Sequence, residues 1–138
     1  MGTCTVHPLG TFSDQRFVVV ISRMNGKYLF SRHKDRTTWE TQGGHIEPGE
    51  IPLEAAKREL WEESGAQEFT MEPLCDYFAT DNIGCASGVV FTAEIVSLGA
   101  IPPGSEMAEV RSFSERPENF TYPDITPILL DYEAKKGR

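Results

Sequence analysis

Cysteine is scarce in this chain of 138 residues: three stand far apart, at Cys4, Cys75 and Cys85. No CxxC pair occurs, and an odd, scattered set builds neither a disulfide framework nor a structural zinc site. Reduced, partly buried thiols are expected instead. Long apolar runs are also missing, since no stretch approaches the roughly 20 residues that span a bilayer. No membrane partner is therefore expected. Met1 to Gly10 lack the basic and apolar regions of a secretory leader, which makes the cytoplasm the expected location. Runs of positive charge are absent too, the densest cationic group being Arg32, His33, Lys34 and Arg36. Formal net charge is −8, from 13 basic and 21 acidic residues. Such a surface repels a long nucleic-acid backbone, so no stable nucleic-acid partner is expected. With no repeat, low-complexity tract or linker either, residues 1–138 fit a single domain, and a homodimer stays open.

What is present describes a soluble globular chain with a real core: 39% of residues are apolar and 25% charged. Arg16 to Ser22 reads RFVVVIS, the β-branched run of a buried strand. Asn25-Gly26 is a two-residue hairpin signal leading into a second strand, Lys27 to Arg32. Thr37 to Gly49 reads as a loop. A helix follows over Pro52 to Ser64, with Pro52 at its first position, Gly65 suited to its C-terminal left-handed position, and Leu53, Ala56 and Leu60 on one apolar stripe. Ile51 is a poor cap for it. Further strands are expected at Leu74 to Ala79, Gly88 to Ile95 and Val110 to Phe113, and a closing helix from Thr126-Pro127 to about Lys135. Strands, helix, strands, helix suggests an α/β (α+β) sandwich with a mixed β-sheet between helices.

Glu59, Glu62 and Glu63 stand at i, i+3 and i+4 of the predicted helix and share a face about 100° wide. Three carboxylates on adjacent turns repel one another, and divalent cations relieve that repulsion; hard oxygen ligands suit Mg²⁺ or Mn²⁺. The plainer reading is a solvated acidic face, partly neutralised by the i, i+4 pairs Glu54–Arg58 and Arg58–Glu62.

The segment that precedes the three glutamates weighs against the plainer reading. It runs Gly44-His-Ile-Glu-Pro-Gly-Glu50, continues through Ile51 to Lys57, and ends Arg58-Glu-Leu-Trp-Glu-Glu-Ser-Gly-Ala66. This resembles the Nudix box, GX5EX7REUXEEXGU with U an aliphatic or similarly apolar residue, at all nine defined positions. The resemblance covers about a sixth of the chain, Gly44 to Ala66. It implies a loop–helix–loop in which Glu59, Glu62 and Glu63 bind the metal, joined by the carbonyl of Gly43, while Glu50 and Arg58 pair to hold loop to helix. It implies metal-dependent hydrolysis of a diphosphate linkage in a small nucleotide-like substrate. Short length is similar to the MutT-like branch, which converts nucleoside triphosphates, oxidised ones among them, to monophosphate and pyrophosphate. ADP-ribose, nucleotide sugars, dinucleoside polyphosphates and triphosphorylated RNA ends stay open, as does a Nudix-fold regulatory module without catalysis. Gln42, where many relatives have proline, and Ile51, where many have Ser or Thr, depart from the family pattern without touching a metal ligand.

Outside the box the candidates are Glu106, as a further metal ligand or base, with Glu109 as its rival; either also reads as an ordinary loop acid. Trp39, Tyr28 and Asp124 are candidate substrate contacts. Trp39 equally reads as a core aromatic at a strand end.

Overall fold

The computed structural model describes residues 2–81 and 84–136; positions 1, 82, 83, 137 and 138 of the expected domain lie outside them. Along the chain come β1 (Thr3–His7), β2 (Phe17–Met24), β3 (Lys27–His33), β4 (Gln42–His45), α1 (Pro52–Ser64), β5 (Ala66–Thr80), β6 (Cys85–Leu98), β7 (Met107–Phe113) and α2 (Thr126–Lys136). All seven strands join one sheet, ordered β1-β5-β6-β2-β3-β7 with β4 beside β2. The β2–β6 pairing is parallel and the other strand pairings are antiparallel. The mixed α+β architecture expected from the sequence is the one the chain adopts.

Strand β2 sits at the centre and explains its own composition. Side chains alternate across a strand, so Val18 and Val20 meet Ala55, Ala56 and Leu60 of α1, while Ile21 meets Leu129 and Leu130 of α2 on the other face. A strand covered on both faces carries an unbroken apolar run. Full burial of Leu60 alone stabilises the fold by about 2 kcal/mol. The turn after β2 takes positive φ at both Asn25 (54°) and Gly26 (79°), which closes the expected tight hairpin with Met24 opposite Lys27.

Helix α1 occupies the expected residues. Ile51 supplies no side-chain acceptor, but the Glu54 carboxylate accepts the Ile51 N–H at 3.0 Å. The expected Glu54–Arg58 pair is thereby corrected: Glu54 is used to cap the helix. At the far end Gly65 takes φ 80° and its N–H bonds the Trp61 carbonyl at 2.8 Å. A helix leaves its last carbonyls without internal partners. Here Ser105 Oγ donates to the Glu62 carbonyl and Ser31 Oγ to the Glu63 carbonyl, each at 2.7 Å.

Several strands exceed their expected bounds. β1 was not expected, and β4 lies inside the predicted loop; Gln-Gly-Gly-His has no strand propensity, and pairing with β2 makes it extended. β5 and β6 form one long hairpin, begun and ended well outside Leu74–Ala79 and Gly88–Ile95, with Pro73 at an irregularity in the ladder. β7 starts at Met107 instead of Val110, where it pairs with the end of β3. Cys4 and Cys75 are buried and Cys85 is exposed. Among the described residues no helix is long and apolar enough to cross a membrane.

Candidate active site

The C-terminal half of α1 and strand β4 border a cleft of about 1170 Å³ that reaches across to the start of α2. Arg58 is the hub of its helical wall. Its Nε and Nη2 grip the two Glu50 oxygens at 2.7 and 3.0 Å, a bidentate pair, and Nη2 also donates to the His45 carbonyl at 3.0 Å. Its Nη1 reaches Glu59 Oε2 at 3.0 Å and Glu62 Oε1 at 3.1 Å. Glu50 further accepts the Glu47 N–H at 2.9 Å. The Arg58 guanidinium, helped by that N–H, holds the Glu50 carboxyl down at about 2. Carboxylates in turn keep Arg58 charged more firmly than an ordinary arginine. One side chain thus fastens the loop before α1 to the helix and aims two of its three glutamates.

The glycine pair shapes the facing wall. A β-carbon on Gly43 would overlap the Val18 carbonyl oxygen, so close pairing of β4 with β2 depends on its absence. A β-carbon on Gly44 would stand 2.5 Å from Glu59 Oε2, in the space that carboxylate uses. The Gly43 N–H, meanwhile, donates to Glu63 Oε1 at 2.8 Å. Burial pushes the Glu63 carboxyl up to about 9, against the pull of that hydrogen bond, with Glu59, Glu40 and Glu62 adding repulsion. Glu59 is raised as well, first by burial and then by its acidic neighbours, although Arg58 opposes the shift.

Crowded, partly buried carboxylates that resist ionising are what a hard divalent cation relieves, and the donor set fits Mg²⁺ or Mn²⁺ by its chemistry. Among the described residues no three acidic, histidine or cysteine side chains already converge as a finished metal cage. Glu59 and Glu62 are instead turned onto Arg58.

The remaining expectations divide. Glu106 lines the cleft, exposed, with its carboxylate 3.4 Å from His33 Nε2. Glu109 lies outside it, bound to Arg32 at 3.3 Å and Arg111 at 2.8 Å. Three substrate-contact expectations are not brought to the site. Tyr28 points its hydroxyl at Glu133 (3.0 Å), in a cluster where Arg23 pairs with Glu133. Trp39 is buried edge-on to Phe113 at 4.9 Å, under the Arg111 guanidinium, which is the core role. Asp124 is exposed and accepts the Gly2 N–H at 3.0 Å. Beside the predicted residues the cleft is lined by Arg36, marked in the sequence only by its charge, and by residues the sequence did not single out: buried Glu40, 3.3 Å from Arg36, and Tyr122, Ile125 and Leu129 from the α2 side. These carry no spacing signal, because the α2 end and β4 meet only in three dimensions.

Three comparisons with known proteins bear on this geometry. The NUDIX domain family model matches residues 13–126. YtkD of Bacillus subtilis (strain 168), which carries the name of an 8-oxo-dGTP diphosphatase, is 34% identical over 117 residues, 80% of this chain and 73% of that protein. Phosphatase NudJ of Escherichia coli (strain K12) is 42% identical over 62 residues, 45% of this chain but only 31% of its own length. Among solved structures, a mutant of the Bacillus subtilis pyrophosphohydrolase BsRppH superposes with a TM-score of 0.81 at 27% identity, covering 99% of this chain and 91% of that one.

Proposed function

Because the chain belongs to the Nudix family and is a Nudix hydrolase, we propose that it cleaves nucleoside triphosphates, canonical or oxidised, to monophosphate and pyrophosphate with Mg²⁺ or Mn²⁺. The observation that carries the reading is the set Glu59, Glu62 and Glu63 on one face of α1, held by Arg58 and the Gly43 amide beside an open cleft. Those three carboxylates and the Gly43 carbonyl would hold the metal, with Glu106, which also lines the cleft, as a further ligand. A bound divalent ion there supplies Lewis acidity and neutralises phosphate charge. The chain's own residues do the rest. Arg58 and Glu50 fix the loop that forms one wall, and Gly44 leaves room for Glu59. Glu63 is held by the Gly43 N–H where its carboxylate would face the metal. Tyr122, Ile125 and Leu129 offer an apolar floor for the base. Support for a triphosphate over other nucleotides comes from the name of YtkD, to which four fifths of the chain aligns.

The test is pyrophosphate and phosphate release with Mg²⁺ or Mn²⁺ from canonical and oxidised triphosphates, ADP-ribose, nucleotide sugars, dinucleoside polyphosphates and triphosphorylated RNA. Glu62→Gln serves as control, and its turnover is expected to fall by about a hundredfold or more. Pyrophosphate from a triphosphate, lost in the variant, supports the reading. Turnover of a different panel member replaces the substrate, and equal activity of folded Glu62→Gln sinks the site.

A further inference from the structure

A line of buried polar side chains runs from the middle of the sheet to the end of α1. Ser22, Ser31 and Gln42 have 1%, 0% and 0% of their surface exposed. Ser22 Oγ on β2 donates to Gln42 Oε1 at 2.6 Å. Gln42 Nε2 on β4 donates to Ser31 Oγ at 2.9 Å, and Ser31 Oγ on β3 donates to the Glu63 carbonyl at 2.7 Å.

Chemistry fixes the direction of this chain. Ser31 has one hydroxyl hydrogen, and the Glu63 carbonyl can only accept it. Ser31 must therefore receive a hydrogen from Gln42, which orients the amide with nitrogen toward Ser31 and oxygen toward Ser22. Every member is satisfied only in this arrangement, so four elements are locked in one register. Stability accounts for Ser31, which satisfies a carbonyl at the helix end, but gives weaker grounds for Ser22 and Gln42, since a bonded polar pair replaced whole by apolar groups of the same shape costs little. What the chain does hold is Glu63. Gln42 reaches its carbonyl through Ser31, and the next residue, Gly43, takes its carboxylate at 2.8 Å.

We propose that Gln42 is a positioning residue for Glu63, setting the carboxylate's place through Ser31 on one side and the Gly43 amide on the other. The proposal rests on the reading of Glu63 as a metal ligand. Gln42, whose Nε2 also reaches the Leu29 carbonyl at 3.5 Å, stands where the resemblance leads one to expect proline, which could make none of these side-chain bonds.

Gln42→Met and Ser31→Ala, singly and combined, test it. Two quantities are read for each folded variant: Mn²⁺ binding by calorimetry without nucleotide, and the separate kcat and KM for whichever panel substrate the wild type turns over. Each single variant is expected to lose about ten- to a hundredfold in Mn²⁺ affinity and in kcat, with KM little changed, as when the partners behind a metal ligand are removed. The combined variant is expected to fall no further than the worse single one, because one break opens the whole chain. Wild-type Mn²⁺ affinity and kcat in both single variants, whatever their melting temperature, overturns the proposal, and so do losses that simply multiply. Should Gln42→Met fail to fold, Ser31→Ala removes one oxygen atom and reads the same link. A wild-type chain that binds no Mn²⁺ sinks the metal reading itself. Bound Mn²⁺ with unaltered variants sinks only the role of Gln42.

Discussion

Gly44 gives up its side chain to Glu59: a β-carbon at residue 44 would stand 2.5 Å from Glu59 Oε2. The obstacle is the end of a flexible side chain, so Gly44→Ala is expected to fold nearly as well as the wild type while displacing the carboxylate. A misplacement of about 1 Å costs on the order of a hundredfold in turnover. Thermal unfolding measured beside turnover checks this. A variant that unfolds early, or one that is fully active, contradicts it.

The neighbouring glycine should behave in the opposite way. At Gly43 an added β-carbon meets the Val18 backbone, and φ is 154°. Gly43→Ala is expected to cost about 1–3 kcal/mol of stability by forcing β4 off β2. Urea unfolding reads the loss, and a midpoint equal to the wild type's would show that β4 is held elsewhere.

Metal-free protein should lose stability as pH rises. The Glu63 carboxyl sits at about 9 when folded against an ordinary 4.5, so the folded chain holds a proton the unfolded chain releases. Its contribution is complete below about 4.5 and is lost progressively up to about 9. Glu63→Gln, unable to ionise, is expected to flatten the stability profile across that window. Unfolding midpoints from pH 5 to 9 in a chelator decide it; parallel slopes for the two proteins would refute the assignment.

Glu50 should act with the reverse sign. Its carboxyl lies at about 2, below the usual 4.5, so the Arg58 pair contributes above about 4.5 and fades as pH falls toward 2. Glu50→Gln is expected to be less stable than the wild type near neutrality, with the two curves meeting by about pH 2. It should also lose turnover, because Arg58 is then free to leave Glu59 and Glu62. Curves that stay separate at pH 2 would assign the effect to packing.

How much was legible in the sequence differs from one part of the site to the next. Helix α1, its glutamates and the Glu50–Arg58 pair all lie within one short segment, where helical periodicity and fixed spacing relate them directly. The β2–β3 hairpin was readable for the same reason, since Asn25-Gly26 is a local signal. The cleft's other residues were not. Glu40, Arg36 and the face of α2 reach it through tertiary pairing, and nothing in their order in the sequence says so. Tyr28 and Trp39 lie away from this cleft because aromatic character marks core and binding positions alike; partners decide, and these two found theirs in Glu133 and Phe113. Gln42 was visible only as a departure from the box's usual neighbour, and its bonds to Ser22 and Ser31 join three strands.

The parallel pairing of β2 with β6 places Phe17 opposite Gly88 and Arg23 opposite Glu94. On the ribosome, α1 and all three of its glutamates therefore emerge well before β6, which covers the free edge of β2. Until Glu94 has cleared the exit tunnel, one edge of β2 keeps its backbone N–H and C=O groups unpaired. The nascent chain carries its charged helix and the central strand early and the parallel partner of that strand late, so the interval between them is when it most needs protection from its neighbours.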